Sequence, residues 1–397
     1  MPAEYAFSTA KKIVSGSGTI GELGTVAVET LAGVSAGIPT GTSANRAAIV
    51  TDPVIAAEGL LNDAAESLKA AGIPFEIFIV VQPEPTVEGV KKSVEAVRPF
   101  NPDLLIGIGG GSTLDSTKLI AVLLSGTQPL ESMFGIDLIE QPGLPMILVP
   151  TTSGTGSEVT PNAIVTIPEE QRKVGVVSRR LFADVALLDP QLTVNLPPAL
   201  TAATGMDAMI HSLESYIGNK ANPISDTVAL RGIRLIATSI RDAYSHGDNV
   251  EARERMHIGS MLGGMALTGA GTCAVHALAY PLGGKYEVPH GVANSMLLVS
   301  VMEVNLESCV SRLADVAEAM KLTLSGTGVN EKAEAVMNEL KALIHDVKIP
   351  LDLREFGGKE SDLDDLALSA SKVTRLLANN PKELTIEEIK GIYQTLF

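Results

Sequence analysis

Four side chains in the second half of the chain have the types and the spacing to bind a metal ion. Asp207 and His211 lie four residues apart, so a helix would project both from one face. His276 and His290 would add two ligands if the segment PLGGKYEVP between them turns the chain back. One carboxylate and three imidazoles suit Fe²⁺ or Zn²⁺, whereas Ca²⁺ and Mg²⁺ prefer oxygen ligands. A single histidine is more often a packed core or surface side chain, and that alternative stays open here.

A glycine-rich turn predicts a phosphate-binding loop. In DLLIGIGGGSTLDSTK an apolar strand runs into Gly109, Gly110, Gly111 and Ser112 and then into a helix. Glycine lets a backbone approach a ligand closely, and a helix N-terminus offers N–H donors and the positive end of a dipole. Ser112 stands where the Rossmann fingerprint requires glycine, and no GK[ST] follows as in a P-loop. The turn is therefore a candidate pyrophosphate site, with a tight structural turn as the alternative.

Two further polar features have the chemistry to contact a nucleotide. The loop VPTTSGTGSEVTPN follows another apolar strand and carries Thr151, Thr152 and Thr155. Asp52 ends the strand RAAIVTD, where a carboxylate could accept from a ribose 2′-hydroxyl and would repel a 2′-phosphate. The alternatives are an ordinary turn for the loop and a helix cap for Asp52.

The elements that must position these residues divide the chain into two parts. In the first part, short β-rich runs alternate with helical patterns, which predicts parallel βαβ units. These runs lie at 46–51, 75–81, 103–109 and 145–150. From about residue 195 helical patterns dominate, and the segment 34–47 is predicted to be an exposed loop. We predict an α/β nucleotide-binding domain with a parallel sheet over 1–194 and an all-α metal-binding domain over 195–397.

The composition argues against several classes of partner. The formal net charge of −16 disfavours nucleic acid and anionic lipid, since both require clustered Lys and Arg. No uncharged apolar run approaches the roughly 20 residues that span a bilayer, and the start MPAEYAFSTAKK lacks the features of a signal peptide. Cys273 and Cys309 are too few for a disulfide framework. We expect a cytoplasmic protein without nucleic-acid or membrane partners.

Taken in order, these motifs resemble those of the iron-containing (group III) alcohol dehydrogenases. The resemblance covers nearly the whole chain, through VTD at 50–52, GGGSxxDxxK at 109–118, PTTSGTGSEVT at 150–160, DPxLTxxLPPxLTAATGMDAxxHxxE at 189–214, and HALAYPLGG and PHGVAN at 276–294. It implies a dehydroquinate synthase-like fold with a nicotinamide-nucleotide α/β domain, a helical metal domain and an active site in the cleft between them.

The resemblance also implies a role for each candidate residue. The family's metal ligands fall on Asp207, His211, His276 and His290. Its dinucleotide contacts fall on Asp52, Gly110, Gly111, Ser112, Asp115, Thr151, Thr152, Thr155 and Lys173. Among these, Asp115 matches an acid close to the nicotinamide end, and Lys173 aligns with a lysine near the nicotinamide ribose. The aspartate at position 52 favours NAD over NADP.

The activity implied by the resemblance is interconversion of a small primary alcohol or diol with its aldehyde, dependent on a metal and on NAD(H). The metal would act as a Lewis acid on the alcohol oxygen, and the nicotinamide would carry the hydride. Fe²⁺ is the family default, and the same ligands would accept Zn²⁺. We expect a small-molecule substrate and a homodimer. A non-catalytic nucleotide- or metal-binding scaffold is the alternative from another class.

Two positions depart from the family pattern. Tyr280 stands where many members carry a histidine, and a tyrosine with a pKa of about 10 is a poorer proton shuttle than a histidine with a pKa of about 6.5. We predict that Tyr280 lies near the substrate and donates a hydrogen bond to its oxygen or carboxylate. Since a related branch acting on hydroxy acids has tyrosine there, the second hypothesis is a hydroxy-acid dehydrogenase or hydroxyacid–oxoacid transhydrogenase with a 4-hydroxybutyrate-like substrate. Glu84, in PEPT where many relatives read PNPT, is the other departure.

Overall fold

The computed structural model describes residues 4–35, 45–170, 172–324 and 328–397, and they form two units. The α/β unit consists of Thr9–Thr152 and Ser157–Thr193. The helical unit consists of residues 4–8, Ser153–Gly156 and Val194–Phe397. Most of the loop predicted at 34–47 lies outside the described residues. The domain limits 1–194 and 195–397 stay a proposal, which limited proteolysis would test.

A parallel sheet forms the centre of the α/β unit. The described strands are β1 (Lys12–Ser15), β2 (Ala47–Thr51), β3 (Phe75–Ile79), β4 (Leu104–Gly109), β5 (Gly135–Ile136), β6 (Met146–Pro150), β7 (Asn162–Ile167), β8 (Arg172–Val177) and β9 (Val185–Leu188). Six of them form one sheet in the order β1-β9-β6-β4-β2-β3, with every pair parallel. The predicted fold class, a parallel-sheet α/β part followed by an all-helical part, is confirmed.

A small mixed sheet was not predicted from the sequence. In it β7 and β8 pair antiparallel, and β5 pairs parallel with β8. Its three strands follow one another in the order β5-β8-β7. The prediction of a parallel sheet therefore applies to the six-stranded sheet alone.

The register of the central strands aligns three of the predicted nucleotide-binding segments. Every residue of β2, β4 and β6 is buried, as expected for strands covered on both faces. Gly109 pairs with Pro150 at the ends of β4 and β6, and the Thr51 hydroxyl at the end of β2 donates to the carbonyl of Ile108 at 2.8 Å. Because parallel strands end at the same edge of a sheet, the loops after β2, β4 and β6 emerge together.

The helices of the α/β unit follow the strands in the sequence. They are α1 (Leu23–Ser35), α2 (Pro53–Ala57), α3 (Asn62–Ala70), α4 (Val87–Val97) and α5 (Gly111–Ser125). Thr86 caps α4, since its hydroxyl accepts from the backbone N–H of Gly89 at 3.0 Å. Helix α5 begins directly after β4, so the glycine-rich turn is both the end of a strand and the start of a helix.

The described helices of the second unit pack around one apolar core. They are α6 (Pro198–Ile217), α7 (Pro223–Ala237), α8 (Ile240–Ser245), α9 (Val250–Ala270), α10 (Ala274–Tyr286), α11 (His290–Ala319), α12 (Val329–Asp346), α13 (Leu363–Ser371), α14 (Thr374–Leu377) and α15 (Ile386–Gln394). Proline at the first position suits the start of α6, where no intrahelical N–H bond is lost. After its first turn, α6 is buried on nearly all sides.

Within the described ranges, no single helix has both the length and the apolar composition to cross a bilayer. Helices α9 and α10 reach that threshold only as a pair, and they are bent by 106° relative to each other.

Candidate metal centre and nucleotide-binding loops

The four predicted metal ligands come together within the helical unit. Asp207 and His211 project from α6, His276 lies on α10, and His290 is the first residue of α11. One ligand atom from each residue lies within 4.8 Å of those of the other three. Oδ1 of Asp207 is 3.7 Å from Nε2 of His276 and 3.6 Å from Nε2 of His290. The two halves of the motif, far apart in sequence, therefore meet around one point.

The cluster has the dimensions and the unsatisfied atoms of a metal site. Ligand atoms in a tetrahedron with bonds of about 2.1 Å are about 3.4 Å apart, close to the distances from Asp207. Nδ1 of His211 and Nε2 of His276 are buried without a hydrogen-bond partner among the described residues. An unpaired buried polar atom costs roughly 1–3 kcal/mol. A bound cation would use both lone pairs, so the residues fit a divalent metal ion.

Glu214 orients one of the ligands, a role that the sequence reasoning missed. Its carboxylate lies 2.6 Å from Nδ1 of His276 and accepts the backbone N–H of Val275 at 2.6 Å. The proton of His276 therefore belongs on Nδ1, which leaves the lone pair of Nε2 facing Asp207. Glu214 lies seven residues after Asp207 and three after His211, so it shares their helical face. That spacing is the signal that would have identified it.

Asn294 is a second supporting residue that was missed. It is buried one helical turn after His290 on α11. Its side-chain amide donates to Oδ1 of Asp207 at 2.7 Å and lies 3.1 Å from Nε2 of His290. The same amide thus contacts two of the four candidate ligands and holds them side by side.

The charges of the cluster shift the pKa values of its members. Burial by itself would raise the pKa of Asp207, but the three histidines and Asn294 outweigh burial and lower it. Burial lowers the pKa of His211. Burial also opposes the protonation of His276, but Glu214 and Asp207 prevail and raise its pKa. An ionised Asp207 and a neutral His211 are the protonation states that bind a cation.

The turn that leads into α10 is held by Asn379. Its side-chain amide donates to the carbonyl of Ala270 at 2.8 Å and to that of Thr272 at 3.1 Å. Gly271 lies between them with a φ of 77°, a conformation that favours glycine. These bonds satisfy carbonyls at the end of α9 and fix the direction in which α10 presents His276.

Tyr280 follows His276 by one turn of α10 and is partly buried. Burial raises the pKa of its hydroxyl, and the charge of Arg375 acts in the opposite direction. A hydroxyl with a raised pKa stays protonated at neutral pH, so it can donate a hydrogen bond but is a poor base. The predicted position of Tyr280 beside the substrate stays a proposal.

The glycine-rich turn has the shape of an anion-binding helix start. Gly110 is the residue before α5, and no side chain in the described part of the chain caps this end of the helix. A Cβ at Gly109 would lie 2.5 Å from the hydroxyl of Thr113, and a Cβ at Gly110 would lie 3.4 Å from the Thr152 methyl group. The N–H of Thr151 donates to the carbonyl of Gly109 at 3.0 Å. The loops at 109–112 and 151–152 therefore adjoin around an uncapped helix end that fits a phosphate.

Asp52 lies beside this turn and caps a helix. Its Oδ1 accepts the backbone N–H groups of Val54 and Ile55 at 2.9 and 3.1 Å, so it is the N-cap of α2. Its Oδ2 accepts the Thr113 hydroxyl at 3.0 Å. The helix-cap alternative is thus correct, and it leaves the carboxylate next to the start of α5. A ribose contact by Asp52 stays a proposal.

Asp115 is tied to its own unit through both carboxylate oxygens. They accept the Ser157 hydroxyl at 2.6 Å and the backbone N–H of Ile164 at 2.9 Å. Burial raises its pKa, against the nearby charge of Lys118. The fully buried Lys118 donates to the carbonyls of Thr160 and Asn162 at 3.0 and 2.7 Å, and burial lowers its pKa to about 8. This network joins α5 to the segment that enters β7, a role that the motif alone did not reveal.

Lys173 is paired with the residue that departs from the family pattern. Its ammonium group lies 2.9 Å from Oε1 of Glu84. Glu84 adopts a φ of 52° and has a side chain that is 43% exposed, whereas that of Lys173 is 14% exposed. The two residues are far apart in sequence, so neither position predicted the pair. Any anion that approaches Lys173 must compete with this carboxylate.

Thr155 is the one predicted cofactor residue that belongs to the helical unit rather than to the α/β unit. It lies in the segment Ser153–Gly156. In that segment, the Ser153 hydroxyl is 3.1 Å from Nδ1 of the buried His257. A Cβ at Gly156, which has a φ of 60°, would lie 2.5 Å from the Cα of Gly264. The segment is therefore packed tightly against α9.

Two family profiles match the chain. The profile described as "Iron-containing alcohol dehydrogenase" matches residues 10–190. The profile described as "Fe-containing alcohol dehydrogenase family, C-terminal" matches residues 201–397. Together they cover both units.

Similar proteins and structures agree with these profiles. Long-chain-alcohol dehydrogenase 1 of Geobacillus thermodenitrificans (strain NG80-2) is 42% identical over 88% of this chain and 89% of its own length. Sulfoacetaldehyde reductase of Bilophila wadsworthia (strain 3_1_6) is 36% identical over 99% of both chains. A crystal structure of 1,3-propanediol oxidoreductase has a TM-score of 0.92 at 35% identity, over 99% of this chain and 100% of that one. Sulfoacetaldehyde reductase from Bifidobacterium kashiwanohense, in complex with NAD⁺, has a TM-score of 0.86 at 26% identity, over 100% of this chain and 99% of that one.

Proposed function

Because the chain belongs to the iron-containing alcohol dehydrogenase family, and is thus an oxidoreductase of alcohols and aldehydes, we propose that it is a metal-dependent NAD(H) enzyme. Its reaction is the interconversion of a small primary alcohol or diol with the corresponding aldehyde. The observation that carries the proposal is the buried cluster of one carboxylate and three imidazoles, with ligand atoms within 4.8 Å of one another.

The metal is a divalent first-row ion held by Asp207, His211, His276 and His290. Fe²⁺ is the ion expected from the family, and the donor set also suits Zn²⁺. Glu214 and Asn294 support the proposal, since outer hydrogen bonds of this kind keep metal ligands oriented.

When bound, the metal ion supplies a Lewis acid for the alcohol or carbonyl oxygen, and the nicotinamide nucleotide supplies the hydride acceptor or donor. The residues of the chain hold these partners and orient the substrate. Glu214 keeps the proton of His276 on Nδ1, so that Nε2 is available to the metal. Tyr280 donates a hydrogen bond toward the substrate from the next turn of α10.

NAD is the proposed nucleotide. The uncapped start of α5, with Gly110, Gly111 and Ser112, supports binding of its pyrophosphate, and Thr151 and Thr152 adjoin that turn. The carboxylate of Asp52 disfavours the 2′-phosphate of NADP. The NAD⁺ complex of a similar reductase supports the same nucleotide. We propose further contacts from three more residues, which are Asp115, Thr155 and Lys173.

The second candidate is a hydroxy-acid dehydrogenase or hydroxyacid–oxoacid transhydrogenase with a 4-hydroxybutyrate-like substrate. Tyr280 supports it, because a protonated phenol is a hydrogen-bond donor for a carboxylate. The relative from Bilophila wadsworthia, named a sulfoacetaldehyde reductase, likewise points to an aldehyde that carries an acid group.

The test is an NADH-oxidation screen with protein that has been reloaded anaerobically with Fe²⁺ or Zn²⁺. The aldehydes are propanal, 3-hydroxypropanal, butanal and succinic semialdehyde. We expect turnover that disappears with a chelator and returns with the metal. If the protein bound no stoichiometric ion and oxidised no NADH with any of these aldehydes, a non-catalytic scaffold would replace the proposal.

We also propose a homodimer, the commonest assembly of soluble oligomers. Light scattering after size exclusion tests it, with a mass twice that of one chain as the expected result and the mass of one chain as the contradicting one.

A further inference from the structure

Arg375, in the helical unit, is a cation without an acidic partner among the residues that the structure describes. It is exposed on the short helix α14, whose neighbouring Leu376 is buried in the core. Its guanidinium forms no hydrogen bond or ion pair with any residue that the structure describes. In contrast, Arg241 and Arg312 of the same unit are each bonded to carboxylates. In a chain with a net charge of −16, an arginine without a carboxylate partner is available to a ligand.

Arg375 and Tyr280 lie on two helices that pack against each other. Helix α14 packs against α10, and Tyr280, Val373 and Leu377 border the same apolar core. The charge of Arg375 acts on the Tyr280 hydroxyl, and the carboxylates of Glu214 and Asp207 act on it as well. Helix α14, which carries Arg375, packs against the same helix that carries both Tyr280 and the candidate ligand His276.

The carboxylates of this region are already bonded to other groups. Glu214 accepts from Val275 and from His276, and Asp207 accepts from Asn294. Neither is within ion-pair distance of Arg375 among the contacts of the described residues. The arginine and the tyrosine hydroxyl are thus two donors without a hydrogen-bond acceptor among the described residues, and they lie on adjoining helices, one of which carries the candidate ligand His276. An anionic group is the ligand chemistry that both donors recognise.

We propose that Arg375, together with Tyr280, selects an alcohol or aldehyde that carries a carboxylate or sulfonate at the end opposite to the reacting carbon. The planar guanidinium matches two oxygens of such a group, and the phenol adds a third hydrogen bond. This inference rests on the proposed metal- and NAD(H)-dependent reaction, and it favours the acid-bearing substrates of the second candidate over neutral alcohols and diols. Arg375 is a specificity-determining residue in this account, since it binds the anion and takes no part in hydride transfer.

The test compares succinic semialdehyde with butanal, two four-carbon aldehydes that differ in the terminal carboxylate. We expect Arg375→Ala to lower kcat/KM for succinic semialdehyde, relative to that for butanal, by about tenfold or more. The loss should lie in KM, because the anion is bound equally in the ground and transition states. Arg375→Lys should retain part of the preference for succinic semialdehyde over butanal. Arg231→Ala is the matched control, since Arg231 is also exposed and makes no ion pair with a described residue. Arg231→Ala should leave kcat/KM unchanged for both aldehydes.

Calorimetry separates this inference from the proposed reaction. The probe is 4-hydroxybutyrate added to Zn²⁺-loaded protein with NADH, a combination that cannot turn over. We expect binding that weakens about tenfold in Arg375→Ala and not in Arg231→Ala. If the wild-type protein reduced no aldehyde but bound 4-hydroxybutyrate in this way, the reaction would be wrong and the anion site correct. If Arg375→Ala affected both aldehydes equally, or left 4-hydroxybutyrate binding unchanged, the inference would be wrong.

Discussion

Glu214 and His276 form a hydrogen bond of 2.6 Å between the carboxylate and Nδ1 of the imidazole, across the interface between α6 and α10. The second oxygen of the carboxylate is held by the backbone N–H of Val275. Both partners are buried, so water does not compete for the bond. The relationship fixes the tautomer and the orientation of one candidate ligand before any metal arrives.

Loss of the Glu214 charge should weaken metal binding. We expect Glu214→Gln to lower the affinity for Zn²⁺ by roughly 10- to 100-fold, because an amide does not favour the Nδ1 proton as a carboxylate does. Competition between the apoprotein and a chromophoric chelator measures the affinity. Glu307→Gln, at an exposed position on α11, is the control and should bind Zn²⁺ as the wild type does. An affinity of Glu214→Gln within twofold of the wild-type value would contradict the orienting role.

Neighbouring turns of α10 should have separable functions. We expect His276→Ala to lose metal and activity together, since it removes one of four ligands. Tyr280→Phe should retain a stoichiometric metal ion and change turnover or substrate preference, because it removes only a hydroxyl. Metal content by elemental analysis and steady-state kinetics on the same preparations separate the two effects. Loss of the metal from Tyr280→Phe would show that the tyrosine supports the metal centre instead.

The elements that were predicted from the sequence are those with a strong local signal. Strands β2, β4 and β6 are continuous apolar runs because both faces of the sheet are covered. Strand β1 is short and mostly exposed, and β8 contains Arg172, Lys173 and Gly175, so neither has such a run. The partner of β1 lies far along the chain, as the pairing of Lys12 with Val185 shows. Pairing of that kind depends on tertiary contacts that a local pattern does not contain.

The residues of the candidate site likewise differ in whether the local sequence carries a signal for them. Asp207 and His211 are recognisable because one helix face brings them together, and the motif order added His276 and His290. The ion pair between Glu84 and Lys173 joins positions 89 residues apart and has no local signature. Asp52 shows the limit of a motif, since its carboxylate caps a helix whether or not it also contacts a nucleotide.

His257 should make the protein less stable in mild acid. Burial lowers its pKa from an ordinary value of 6.5 to about 4, and its Nε2 has no partner among the described residues. Between about pH 6.5 and pH 4, His257 is therefore protonated in the unfolded chain but not in the folded chain. The free energy of unfolding falls as the pH drops through that window. The full effect is about 3 kcal/mol in the free energy of unfolding.

The measurement is urea unfolding of metal-free protein at pH 7 and pH 4, for the wild type and for His257→Asn. Asparagine keeps a polar group toward Ser153 and does not titrate in this range. Between pH 7 and pH 4, we expect the free energy of unfolding to fall by about 3 kcal/mol more in the wild type than in the variant. Because both proteins retain the other histidines, the difference isolates His257. Equal losses would show that His257 is protonated in the folded state.

Replacement of Asp52 should shift the nucleotide preference without unfolding the helix that it caps. Serine is also a good N-cap, so Asp52→Ser removes the negative charge and keeps a side-chain acceptor for the N–H groups at the start of α2. We expect the ratio of kcat/KM for NADPH to that for NADH to rise by about tenfold or more, because the 2′-phosphate no longer meets a carboxylate. Asp52→Glu keeps the charge and should keep the preference for NADH. The contradicting result is a serine variant whose ratio of kcat/KM values equals that of the wild type and whose free energy of unfolding is lower by about 1 kcal/mol or less. Asp52 would then be a helix cap and would not select the nucleotide.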